Sequence, residues 1–341
     1  MVESKTATIG TEERVATTFR AQVFGSIARQ KLFAFASLIL LMVFFGFASP
    51  AFMQVENLLG ILQSTAVNGV LAIASTFVII TAGIDLSVGT LMTFCAVMAG
   101  VFLTYWQLPL WTGVLAAIAT GAMSGLLSGT FVAKLKLPPF IATLGMMLVN
   151  KGLALVVAGD KPIYFSDTES FSTISQGSVI GYILPSLPVP NSVVILFVLA
   201  IAASVVLGRT ALGRYTFALG SNEEAVRLSG VNVDRWKIAI YVLAGAICGV
   251  AGLLIASRLN SAQPALGQGY ELEAIAAVVI GGTSLSGGTG TVLGTIIGAF
   301  IMSVLTNGLR ILSVPQEWQI VVTGVIIILA VYIDILRRRK L

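Results

Sequence analysis

Histidine is absent from all 341 residues of this chain, and charge is scarce, with Lys, Arg, Asp and Glu together making up 10%. Without imidazole there is no His-ligated metal, no Ser-His or Cys-His catalysis and no His proton relay. Cysteine is limited to Cys95 and Cys248, both inside apolar runs. Small core residues explain them better than a disulfide or a metal site. No G-x-x-x-x-G-K-[ST] stretch occurs. The chain therefore has no P-loop of its own to cradle ATP phosphates, and no cofactor and no catalytic residue is expected in it. A secretory leader is not expected either, because some 30 mixed polar residues precede the first apolar run and no small-residue cleavage site follows a short apolar core.

What fills the chain is apolar: 57% of residues are hydrophobic, and the mean hydropathy is +0.97. A soluble domain carries about 25% charged residues. The expected fold is an all-α polytopic membrane protein in a lipid bilayer, with about ten transmembrane segments of roughly 20 residues each. The first covers Leu32–Ser49 and stops at Pro50; an amphipathic piece, Phe52–Gln63, follows at the interface. The next are Thr65–Ala82, Thr90–Thr104, Thr112–Ala133 and the run from Pro138-Pro139 to Ala158. Gly159–Asn191 reads as a long exterior loop. Beyond it come Ser192–Gly208, Ile238–Ala256, a short run at Ala274–Gly282, then Thr291–Thr306 and Gln319–Ile335.

Two of these runs are interrupted in a similar way, by GIDLSVGT from Gly83 and by GGTSLSGGTG from Gly281. Irregular backbone at membrane depth is tolerated only where it is buried in protein or lines a cavity. Paired interruptions point to an internal two-half repeat around a central pathway. Simple helix capping would also put Ser and Gly there. The candidate broken-helix or pathway residues are Gly83, Asp85, Ser87 and Gly89 in the first break and Ser284, Ser286, Gly287 and Gly288 in the second. Asp85 is either a cavity-facing charge or, with Ser87, a cap for the following helix. Lys151 lies mid-span and either snorkels outward or faces an aqueous vestibule. Asn68, Asn150 and Asn307 suit interhelical hydrogen bonds.

Orientation follows from the basic residues. Sixteen of the twenty Lys and Arg fall on one side if residues 1–31, the Lys134/Lys136 loop, the stretch 209–237 and the tail 337–341 are cytoplasmic. The net charge of +5 reflects that asymmetry rather than a nucleic-acid partner. Lys151, Lys161, Arg258 and Arg310 remain on or toward the other side.

The charged stretch 209–237 stands apart from its apolar neighbours. Ser221 and Glu224 have the spacing of a capping box, and Gly230 stands where a left-handed C′ residue belongs. They bracket a helix of about two turns, with Ala225, Leu228 and Ser229 on one face. Either a soluble partner grips this helix or it merely joins two spans. On the opposite side, the loop Ser261–Glu273 is rich in hydrogen-bonding groups. It suits contact with a soluble partner through Gln263, Pro264, Gln268, Tyr270 and Glu271, or it is a plain re-entrant turn.

Together GIDLSVG (83–89), FIATLGMM (140–147), LGRYTFALGSNEEAVRLSGVNV (212–233) and SAQPALGQGYELEAIAAVVIGGTSLSGGTG (261–290) resemble the permease subunits of bacterial ABC importers for monosaccharides, the ribose, xylose, arabinose and galactoside group. The resemblance covers about residues 35–336. The charged stretch also resembles the EAA motif of ABC permeases: Glu224, Ala225, Gly230 and Ile240 keep its spacing, whereas Val226 replaces the second Ala and no Leu-Pro follows. The resemblance implies ribose or a related pentose as substrate, although related permeases carry other sugars or autoinducer-2. It implies a second copy of the chain, a cytoplasmic ATP-binding subunit that holds ATP and Mg, and a periplasmic sugar-binding protein, in the bacterial inner membrane. Coupling to that ATPase would fall to Ser221, Asn222, Glu223, Glu224, Ala225, Arg227 and Gly230. The rival is an ion-coupled secondary transporter of a small polar solute. That class needs intramembrane carboxylates, of which Asp85 is nearly alone in the first half.

Overall fold

A computed structural model describes residues 32–338, apart from 167, 169 and 184–187. The expected tail over 1–31 and residues 339–341 lie outside the described residues. Helix α1 is Leu32–Ala48. A short 3-10 turn, Pro50–Met53, leads into α2, Val55–Ile80. Then follow α3 (Val88–Gly100, prolonged by a π turn to Tyr105), α4 (Leu110–Ala133) and α5 (Pro139–Ala158). A two-residue strand β1 (Ile163–Tyr164) and two short helices, α6 (Thr173–Gln176) and α7 (Val179–Ile183), occupy the long loop. The second part holds α8 (Asn191–Arg209), α9 (Ala211–Leu228), α10 (Val233–Leu259), β2 (Ser261–Ala262), α11 (Tyr270–Ile280), α12 (Val292–Ile311) and α13 (Gln316–Arg338).

Proline and glycine set many of the boundaries. Pro109, Pro138 and Pro190 stand at the N-caps of α4, α5 and α8. Pro has no N–H to lose there, and its φ suits the entry. Left-handed Gly159 and Asn260 terminate α5 and α10.

Among the described residues, eight helices are long and apolar enough to cross a membrane. Helix α1, at 17 residues, reaches the lower end of the spanning range. Helix α11, with 11 residues, covers only about half a bilayer at 1.5 Å per residue. The ten expected segments are all present, but the eighth is a half-helix. The amphipathic piece expected at Phe52–Gln63 is not separate. Residues from Val55 onward continue unbroken into α2, through Gly60, because no Pro interrupts the join and the helix finds cover on α11 and α12.

The core is built on small residues. Gly121, Gly125 and Gly129 of α4 lie four apart and meet Gly245, Tyr241 and Ile238 of α10 at backbone contact. A Cβ at Gly121 or Gly125 would run into an α10 carbonyl. Apolar burial gains little against lipid, so close backbone approach and dispersion hold such helices together. Polar pins add to this. Thr76 of α2 meets Thr295 of α12 at 2.7 Å, and Ser124 of α4 donates to Asn150 of α5. Asn307 of α12 donates to Asn57 of α2, and Asn68 of α2 donates to Glu273 of α11 at 2.8 Å. All three intramembrane asparagines thus make the expected interhelical bonds.

Candidate functional site

The first break begins where α2 ends. Ala82 turns left-handed, and the Gly83 N–H closes back on Val78 O. Asp85 is buried, and its Oδ1 accepts from both the N–H and the hydroxyl of Ser87, at 2.8 and 2.6 Å. It forms an Asx turn ahead of α3 rather than a cap on α3 itself. A second staple comes from outside the break: the Thr143 hydroxyl on α5 accepts from the Leu86 N–H and shares its one hydrogen between Ile84 O at 3.0 Å and Pro139 O of its own helix at 2.9 Å. Thr143 belongs to FIATLGMM, a motif to which residue order alone assigned no role. Gly89 opens α3 against Gly267 O and the Glu271 carboxylate, with no room for a Cβ.

The second break uses backbone instead. Gly282, Gly287 and Gly288 all have positive φ, at 93°, 81° and 73°, where only glycine is unstrained. Ser284 N–H donates to Thr289 O, and Gly287 N–H to Ser284 O. The Gly288 N–H reaches across to Ile80 O, the last residue of α2, at 2.9 Å. Ser286 stays exposed. The two breaks therefore touch, at the same end of the body.

Helix α9 sits on that junction. Thr210 caps its start by accepting the Gly213 N–H. Gly220 packs so tightly on Ile80 O and Gly288 N that a side chain has no space, and a Cβ on Gly288 would lie 2.8 Å from Ser221 Oγ. The helix then kinks at Asn222, whose φ and ψ are −162° and 96°. Asn222 Oδ1 accepts the Ala225 N–H at 2.9 Å. This overturns the expected capping box. Asn222 is the cap of the last segment, Ser221 ends the preceding one, and Glu224 stands one residue too early to reach back. The capped segment, 223–228, is about a turn and a half long rather than two turns. Gly230 does take the expected left-handed conformation, with φ 83°.

Glu223 ties this segment to α10. It bonds Lys237 at 2.6 Å and Arg227 at 3.0 Å. Partial burial alone would raise its pKa, but the bonds and charges of Lys237 and Arg227 outweigh that and hold it below the usual value. Tyr215 and Trp236 add a tilted ring contact between α9 and α10, with centroids 4.5 Å apart. Glu224, Ala225, Arg227 and Leu228 remain exposed, Leu228 at 80%. A charged, anchored segment with an uncovered leucine is thus presented on the most basic end of the molecule.

The loop Ser261–Glu273 does not stay outside. Its start pairs with β1, Ile163 opposite Ala262, and Ile163 in turn meets Gly100 of α3. By Gly267 it has reached Gly89. Those 11 residues of α3 correspond to a descent of roughly 16 Å. It is a re-entrant turn that feeds α11 from within the body. Of the five residues expected to face a soluble partner, Pro264 and Glu271 are buried. Glu271 turns back to accept the Gly269 N–H. Tyr270 is half-buried, and Gln263 and Gln268 are exposed. Lys151 of α5 donates to Gln268 Oε1 at 3.0 Å.

Interrupted helices that converge beneath a charged, anchored helix, inside a multi-pass helical body, define a membrane permease. Residues 57–331 match the family described as branched-chain amino acid transport system / permease component, and the chain belongs to that family. It is 43% identical over 301 residues to the ribose import permease protein RbsC of Escherichia coli (strain K12), covering 87% of this chain and 91% of the relative. It is 42% identical to RbsC of Bacillus subtilis (strain 168), covering 89% and 92%. The xylose transport system permease protein XylH of Escherichia coli (strain K12) is 34% identical, covering 92% and 94%.

Residue order missed Thr143, Gly220, Gly267 and the first half of α9. Thr210 three residues before Gly213 is a legible cap signal for that half. Nothing in the sequence marks Gly220 as a contact.

Proposed function

We propose that the chain is the transmembrane permease of an ATP-driven importer for a monosaccharide, ribose or a related pentose. The observation that carries this reading is 43% identity to a ribose import permease along 87% of the chain, with the coupling stretch and both breaks inside the matched region. The family description speaks of amino acids while these relatives' names speak of ribose and xylose. The substrate therefore rests on the relatives rather than on the family. Two copies of the chain stand in the inner membrane, with both termini, the Lys134/Lys136 loop and α9 on the cytoplasmic side. ATP and Mg belong to a partner ATPase that grips Glu224, Ala225, Arg227 and Leu228. A periplasmic binding protein delivers the sugar to the opposite face, where Gln263 is exposed.

ATP binding in the ATPase moves α9. Gly220 and Ser221 bear on Ile80 and Gly288, so the motion reaches both breaks at once and changes how the body opens. Hydrolysis and release return it. The breaks also argue against an inverted-repeat secondary transporter, since they lie side by side at one end and run in the same sense.

The test is uptake of labelled ribose and xylose into vesicles holding the chain with its ATPase, with binding protein outside and ATP inside. ATP-dependent uptake is expected, and the chain alone should hydrolyse no ATP. Uptake driven by a proton or sodium gradient without ATP would overturn the reading.

A further inference from the structure

Where α5, the start of α3 and the re-entrant turn meet, Lys151 and Gln268 place a polar spot at a depth where lipid would be the neighbour, beside the exposed Leu148 and with Thr90 and Thr93 buried behind. Lys151 precedes the end of α5 by seven residues, and Gly252, which meets Met92 of α3, precedes the end of α10 by seven. Both therefore lie roughly 10 Å below the outer ends of their helices. At this level Lys151 and Gln268 form a shallow groove with Thr90, Thr93, Pro264 and Gly267. Gln268 is exposed, and so is Ala265 beside it.

Three features exclude lipid here. Non-helical backbone at membrane depth persists only where protein covers it or water reaches it. Lys151 does not snorkel along its helix to the interface. It is held sideways by Gln268, and among the described residues no carboxylate lies within 4 Å of it. An exposed amide and an ammonium at this depth are costly against hydrocarbon even when bonded to each other. The groove encloses no ligand-sized space within one chain, so a passage along it needs a second wall, and the second copy of the importer reading would supply one.

We infer that this groove is the wall of the sugar passage and that Lys151 and Gln268 contact sugar hydroxyls as the substrate crosses. This rests on the importer reading above. The chemistry fits a neutral polyol: the ammonium and the amide NH2 donate, and the amide oxygen accepts. A fixed positive charge in the passage also repels protons and metal cations, which keeps the membrane sealed to ions.

The test uses the full complex in membranes. Cys95 and Cys248 are fully buried, so an introduced cysteine reports with little background. Gln268→Cys and Lys151→Cys are expected to react with a small charged thiol reagent at least tenfold faster than Ile328→Cys, which sits on the exposed face of α13. Equal, slow labelling would overturn the inference. In uptake, Gln268→Ala and Lys151→Met should lower the maximal rate at least fivefold and leave the half-saturating sugar concentration, set by the binding protein, unchanged. Gln268→Asn and Lys151→Arg should recover part of the rate. Fast labelling with wild-type uptake in all variants would remove the sugar-contact role. Fast labelling with no sugar uptake by the wild-type complex would sink the importer reading while leaving a water-lined wall.

Discussion

The two helix breaks are written in similar residues and held by different physics. The first is stapled by side chains: Asp85 to Ser87, and Thr143 to the backbone on either side of Asp85. The second is stapled by its own backbone, through three positive-φ glycines and a hydrogen bond to the end of α2. A side-chain staple can be weakened one group at a time. A backbone staple fails when any added atom blocks the approach. The second break is also the one on which α9 rests, so its tightness has a consequence for coupling that the first does not share.

That contrast orders the expected effects. The largest belong to the glycine contacts. Gly220→Ala and Gly288→Val should each cost about 3 kcal/mol, at the upper end of overpacking effects. Gly230→Ala, whose Cβ would meet nothing, should cost only about 1 kcal/mol of φ strain. Thermal melting in detergent, read beside ATP-driven uptake, separates them; equal effects at Gly220 and Gly230 would mean that the junction is loose.

Thr143→Val comes next. It keeps the shape but leaves Ile84 O and Leu86 N–H without their partner, a loss of about 1–3 kcal/mol. Thr143→Ser should restore most of it. The variant is expected to raise ATP hydrolysed per sugar imported, because break one loses its fixed form while α9 stays seated. An unchanged ratio would confine Thr143 to stability.

Asp85→Asn should be milder still, under about 1 kcal/mol, since an amide oxygen can accept both Ser87 bonds. Asp85→Ala should resemble Thr143→Val. If Asp85→Asn abolishes uptake while melting normally, the charge is needed and the Asx turn is a lesser part of its role.

Capping of α9 should be worth about 1 kcal/mol at Asn222→Ala and close to nothing at Ser221→Ala. The reverse ranking would restore the capping box read from sequence. The smallest effect concerns pH. The pKa of Glu223 is lowered in the folded chain, so its pairing contributes above the ordinary carboxylate value of 4.5. That contribution is lost as pH falls through the lowered value. Fluorescence of Trp236, which sits at the α9–α10 contact, should shift as the pH is taken below the ordinary carboxylate value in the wild type and not in Glu223→Gln. Exposed ion pairs of this kind are worth under about 1 kcal/mol.

Sequence alone determined the membrane class, the order of the apolar segments, the positions of both breaks and the left-handed Gly230. Each of these is written locally, in runs of apolar residues, in the absence of charge and in the glycine that a positive φ demands. Tertiary structure decided the rest. Which of Ser221 and Asn222 caps the last segment depends on Gly220 being pressed against Ile80 and Gly288, which forces the kink one residue later than the S-x-x-E spacing suggests. Whether 261–273 stays outside or re-enters depends on Gly267 finding Gly89, two glycines 178 positions apart that no local pattern links. Thr143 acts on a loop some 57 positions earlier in the chain. Local periodicity carries no trace of such pairings, because they are chosen by which backbones can approach closely enough to exchange hydrogen bonds once the helices have packed.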